Sequence, residues 1–227
     1  AIAELAGGGE DLHVDTSPFE ETSLWGGLAP EDTDYPFYDP AKAKEEIELY
    51  KADTDADDLI FTLTGPANTD DLLVMQALAK QWSEVGIKAD IDTIGQDELT
   101  GVLVGAKFQA VYHRNYAYPD PDANFVYWSS ENADGNIVIN FSKYYDPITE
   151  AALARGREAQ DVETRKGAYD ELIRARNKQA VDIWLFNTPY ALIGDDNIRG
   201  LNWFREIGFG NFLAKPYITG LWIAPPG

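Results

Sequence analysis

Residues 59–94 constrain the fold more than any other stretch, because their hydrophobic period changes twice within a short span. Residues 59–64, Leu-Ile-Phe-Thr-Leu-Thr, are β-branched, aliphatic or aromatic and run into Gly65-Pro66, as a strand that ends in a turn does. From Thr69 onward the apolar side chains Leu72, Met75, Leu78, Ala79, Trp82 and Val85 recur at three- and four-residue steps, and Gly86 stands where a left-handed helix cap is wanted. Ile87, Ala89 and Ile91 then alternate with Lys88, Asp90 and Asp92, a period of two that predicts a strand with one face covered. A strand, a helix and a strand in that order predict a parallel pair joined by a crossover helix. A short helix over 96–106 and a strand over 108–112 extend the pattern into an α/β domain.

Helix signals recur on both sides. Asp39-Pro40 supplies a capping carboxylate and a proline suited to the first turn, so a helix is expected from there to about Lys51. Helices are also expected over 147–159 and 162–180, the second capped by Asp161 and turning Ala168, Leu172 and Ala175 inward, with a strand over 181–186. Residues 1–36 carry little periodicity and read as an irregular surface connection pinned to a core by Phe19, Leu24, Trp25 and Leu28. From Tyr190 the character changes: Trp203, Phe204, Phe209, Phe212, Tyr217 and Trp222 are spaced by glycines with no long helical period, which assigns the tail to a different lobe.

Composition narrows the function. A chain of 227 residues with 44% hydrophobic content can bury a sizeable core. The formal net charge of −21, from 39 acidic against 18 basic residues, repels a phosphate backbone, so nucleic acid is not an expected partner. The carboxylates are scattered, as on a well-hydrated surface. Cysteine is absent, which excludes disulfides, thiolate metal sites and cysteine nucleophiles; with His13 and His113 the only histidines, no His-rich metal centre is expected and no cofactor is implied. No apolar run long enough to span a bilayer and no leader pattern is visible, so the expectation is a soluble, processed or truncated piece.

Four blocks in this order resemble the family 5 extracellular solute-binding proteins, which serve peptide, nickel and some oligosaccharide importers. They are Tyr38-Asp39-Pro40-Ala41-Lys42-Ala43; the stretch from Ala79 to Ile94 with Trp82 and Gly86-Ile87; Tyr118-Pro119-Asp120-Pro121-Asp122 with Phe125; and Asn140-Phe141-Ser142-Lys143-Tyr144 followed by Asp146-Pro147. The resemblance implies a class II, two-lobed clamshell of the periplasmic-binding-protein type, with a mixed sheet flanked by helices. On that reading residues 1–187 form the carboxy-terminal lobe, and 188–227 cross the hinge and return to an amino-terminal lobe whose remainder is missing. It further implies a monomeric, non-enzymatic, periplasmic or extracellular protein. Its partners would be a small-molecule or peptide ligand and the membrane permease subunits of an ABC importer, and any lipid anchor would sit on the absent amino terminus.

In that family the loop holding the Pro-Asp-Pro-Asp run faces the cleft, which implies ligand-binding roles for Arg114, Tyr116, Ala117, Tyr118, Asp120, Asp122 and Trp128. Two positions depart from the family pattern. Ala117 stands where an acid commonly pairs with a peptide's amino terminus, and Arg114 stands where a tryptophan usually lies on the ligand. A buried ammonium without a countercharge is costly, whereas Arg114 can fork onto a carboxylate or phosphate or stack on a planar group; the equal alternative is that Arg114 points to solvent or pairs with one of the chain's own carboxylates. A ligand lacking a free ammonium at this end, and bearing an acidic or sugar-like group, is therefore expected. Tyr116, Tyr118 and Trp128 offer ring faces to such a ligand or, equally, anchor the core. Asp120 and Asp122, alternating with prolines, suit a turn whose carboxylates accept neighbouring amides. The rival readings are a glycoside hydrolase using Asp120 and Asp122, disfavoured because residues two apart cannot flank a glycosidic bond from opposite sides, and a calcium site at Asp120, Asp122 and Asp134, which lacks regular ligand spacing.

Overall fold

The computed structural model describes residues 15–19, 24–25, 28–115, 120–135, 137–186, 194–200 and 220–224. Helix α1 (Pro40–Thr54) starts where Asp39 accepts the Ala41 and Lys42 amides, and it runs three residues beyond the expected end. Strand β1 (Leu59–Pro66) continues through Gly65-Pro66 instead of stopping before them. Helix α2 (Thr69–Val85) is capped by Asn68, whose side chain accepts the Asp71 amide, and it ends at Gly86 with φ 103°. Strand β2 (Ile87–Ile94) pairs in parallel with β1 over their whole lengths, Leu59 opposite Ile87 and Pro66 opposite Ile94.

Helix α3 (Gln96–Val104) leads to β3 (Ala110–Val111), which joins the other side of β1 in parallel, so the strand order is β2-β1-β3. The expected strand over 108–112 shrinks to two residues, although the Tyr112 amide still reaches the Thr64 carbonyl at 2.8 Å. One turn of helix, α4 (Phe125–Trp128), follows the 3₁₀ turn Pro121–Asn124. Helices α5 (Pro147–Glu158) and α6 (Val162–Lys178) are capped by Asp146 and Asp161, each accepting the amide three residues on. Strands β4 (Ile198–Arg199) and β5 (Trp222–Ile223) form an antiparallel pair within the tail; its other aromatic residues, 203 to 217, lie outside the described residues.

Two apolar clusters hold these elements. The sheet cluster comprises Leu63, Val74, Met75, Leu78 and Tyr112, with Phe61 and Trp82 meeting edge to face at 5.3 Å beside it. The helix cluster comprises Phe19, Trp25, Trp128, Ala152, Leu153, Tyr169, Leu172 and Ile173. Phe19 and Trp25 thus pin the irregular leading segment as expected, whereas Leu24 does not: it is exposed.

The strand expected over 181–186 is absent. Those residues have no ladder partner among the described residues. The Trp184 carbonyl takes the Tyr35 hydroxyl and its indole donates to Asn177, while Leu185 and Phe186 pack on the sheet cluster. The apolar run that reads as a strand is half-buried by side-chain packing, with Ile183 exposed, and has no backbone ladder among the described residues.

Candidate functional site

In a parallel sheet ordered β2-β1-β3, the chain leaves the carboxyl end of β1 towards β2 while β3 lies on the opposite side. The crevice outside the carboxyl ends of β1 and β3 is then the place where open α/β sheets bind ligands. Asn68 and Asp71 on the first turn of α2 stand there, with Tyr112, His113 and Arg114 just beyond β3.

Arg114 is half exposed, and its Nη2 lies 3.5 Å from Oδ1 of Asp71, whose side chain is only 7% exposed. Asn68 Nδ2 donates to the other Asp71 oxygen at 2.5 Å, while its own amide oxygen accepts the Asp71 backbone N–H at 2.9 Å. Burial pushes the Tyr112 hydroxyl up to about 12, and the neighbouring Asp71 charge adds to that rise. The result is a buried carboxylate held by Asn68, with one nitrogen of the half-exposed Arg114 guanidinium 3.5 Å away.

The Pro-Asp-Pro-Asp turn is held from the other side. Asp120 Oδ1 accepts the Asp122 amide at 2.9 Å, and both Asp120 oxygens take Arg165 of α6 in a fork at 2.6 Å each. Arg165 Nε also donates to the Gly156 carbonyl at 3.0 Å, and its guanidinium lies 5.0 Å over the Trp25 ring. Burial would raise the Asp120 pKa, yet the Arg165 fork and the Asp122 amide outweigh it and hold the carboxyl below its usual range. Asp122 departs from the expected pattern: its carboxylate meets Arg157 Nε at 2.5 Å, and that guanidinium lies 3.5 Å over the Phe125 ring. Each aspartate is occupied by a guanidinium, and the lowered pKa of Asp120 is the opposite of what a hydrolase's proton donor requires.

Trp128 is packed in the helix cluster at 2% exposure, edge to face with Phe19 at 5.9 Å. Tyr116, Ala117 and Tyr118 lie outside the described residues. Among the described residues no group of three or more His, Asp or Glu side chains is placed to hold a metal ion, and no helix is long and apolar enough to cross a membrane. Sequence reasoning missed Asp71, Arg157 and Arg165. Asp71 carries a local signal, three residues after a capping Asn68, but its approach to Arg114 spans 43 positions and leaves no trace in spacing.

The described residues form an α/β unit, a parallel sheet flanked by helices, with a polar cluster at its carboxyl edge. The family model for bacterial extracellular solute-binding proteins, family 5 (middle region), matches residues 4–136, and the chain belongs to that family. Solved structures agree on the fold. DppA from Helicobacter pylori, bound to peptide STSA, superposes with a TM-score of 0.72 at 19% identity, covering 94% of this chain and 40% of that one. NikZ from Campylobacter jejuni with Ni(L-His) gives 0.67 at 20% identity, covering 84% and 39%. A periplasmic oligopeptide-binding protein from Thermotoga maritima with mannohexaose gives 0.66 at 20% identity, covering 77% and 36%. The chain therefore spans about two fifths of the length of these neighbours. No protein of curated function matches it.

Proposed function

We propose that the chain is the carboxy-terminal lobe, with a hinge crossing and returning tail at 188–227, of the substrate-binding component of an ABC importer working outside the cytoplasmic membrane. The family match over residues 4–136 carries this reading. A ligand touches one lobe, the other closes over it, and the closed form is presented to permease subunits; no bond of the ligand needs to change. The occupied states of Asp120 and Asp122 support binding over hydrolysis.

Arg114, with Tyr116, Ala117 and Tyr118 following it, is the ligand-facing segment on this reading, while Asp120 and Asp122 shape the turn and Trp128 backs it from the core. A non-peptide or anionic ligand, such as an oligosaccharide, is the second reading. Its oligosaccharide form is favoured by the Arg114–Asp71 pair: an ion pair of near-zero net charge suits hydroxyl groups, which donate to the carboxylate and accept from the guanidinium, better than a lone ammonium.

Calorimetry on the full-length protein tests both. Unblocked Ala-Ala is expected to bind no tighter than its N-acetylated form, and Arg114→Ala to weaken whichever of N-acetyl-Ala-Ala or cellobiose binds by about tenfold or more, the scale of a charge-assisted hydrogen bond. Tight binding of Ala-Ala, unaltered by Arg114→Ala, contradicts the site assignment.

A further inference from the structure

The last turn of α6 collects polar contacts from two parts of the chain about 150 residues apart. Asn177 is 1% exposed, and its Nδ2 donates to the Thr16 carbonyl at 2.8 Å and the Thr33 carbonyl at 2.9 Å. Its Oδ1 accepts the Trp184 indole N–H at 3.0 Å, so one side-chain amide spends both hydrogens on the entering segment and its oxygen on the leaving one. Two flanking arginines repeat the pattern. Arg174 Nε donates to the Asp32 carbonyl at 2.8 Å, and Arg176, 2% exposed, donates twice to Asp182 Oδ2 at 3.0 and 2.6 Å. The two segments also meet directly, the Tyr35 hydroxyl donating to the Trp184 carbonyl at 2.9 Å. Apolar anchors lie beyond the polar ones: Phe19 and Trp25 in the helix cluster, Leu185 and Phe186 on the sheet cluster.

We infer that Asn177, with Trp184 and Tyr35, forms a clasp that makes the entering segment (residues 15–19 and 28–36) and the leaving segment (181–186) one rigid body with this lobe, so that lobe movement is taken up outside it. Hinge bending needs residues whose φ and ψ can change at little cost. Thr16, Thr33, Tyr35, Asp182 and Trp184 are each tied to α6 or to one another, and opening any of the ties that end on Asn177 or Arg176 strands a buried donor or acceptor. Lobe movement is then not taken up within residues 15–19, 28–36 or 181–186. This deepens the function proposed above and rests on it, since it takes the two segments to lead to a second lobe.

Native-state hydrogen exchange on the full-length protein tests the clasp. Trp184→Phe removes the indole donor and keeps an aromatic ring; Tyr35→Phe removes only the hydroxyl. Each is expected to speed exchange about tenfold in both segments together, including residues 15–19, which Trp184 reaches through Asn177. Acceleration confined to the segment that carries the substitution overturns the inference. Small-angle scattering of the same protein with Ala-Ala and cellobiose reads closure separately. Coupled exchange without contraction leaves the clasp standing and counts against the clamshell; contraction with uncoupled exchange leaves the clamshell standing and overturns the clasp.

Discussion

His113 sits two residues past β3, half buried, its ring edge to face with Phe141 at 5.6 Å and its Nδ1 3.2 Å from the Arg114 carbonyl. Burial lowers its pKa below the ordinary 6.5, against smaller raising effects from that carbonyl and from Asp182. The neutral ring is therefore the folded form's preference. Its contribution to stability is complete above the unfolded value of 6.5 and drains away as the pH falls from there through the lowered folded value. His113→Gln is expected to flatten the pH dependence of the urea midpoint immediately below pH 6.5, while leaving its slope at more acid pH, where carboxylates titrate. At this scale the sequence was partly legible. The alternation of Asp120 and Asp122 with prolines announces a turn, because that signal is local. Arg165 and Arg157, which complete it, stand 45 and 35 positions downstream, and only the packing of α5 and α6 brings them near.

Helices α5 and α6 lie against each other at a glycine. A Cβ on Gly156 would fall 2.8 to 3.0 Å from the ring and hydroxyl of Tyr169, which is 1% exposed and packs edge to face with Trp25. Gly156→Ala gains helix propensity but forces that ring, and the Arg165 contact to the Gly156 carbonyl, to shift. A net loss of about 1–3 kcal/mol is expected in chemical denaturation, the range for overpacking a filled core; no loss would mean that the helices separate freely. Elements were the most legible level of this protein. The change of period over 59–94 and the Asp-Pro cap at Asp39 predict their elements to within a few residues because each depends on neighbours in sequence. The 181–186 segment misleads for the opposite reason: apolar content gives a strand its burial, but only a partner gives it a ladder, and here the polar neighbours among the described residues are side chains of α6 and of Tyr35.

Across the whole chain the charge of −21 sets the response to salt. Exposed pairs such as Lys88–Asp58 at 2.6 Å and Lys51–Glu48 at 3.4 Å weaken as ions are added, because mobile charge screens them. The general repulsion among excess carboxylates weakens too, and with more than two acids for each base it is the larger effect. The melting temperature is therefore expected to rise between about 0.05 and 0.5 M sodium chloride; a fall would show that the ion pairs dominate. The strand order carries a last implication for how such a lobe behaves in company. β2 is an outer strand among the described residues, and its exposed positions Lys88, Asp90 and Asp92 bear charges of both signs along a ribbon of eight residues. A second copy extending the sheet there in parallel and in register would set Lys88, Asp90 and Asp92 each beside its own twin, so like charges oppose the stacking that seeds fibrils at this border.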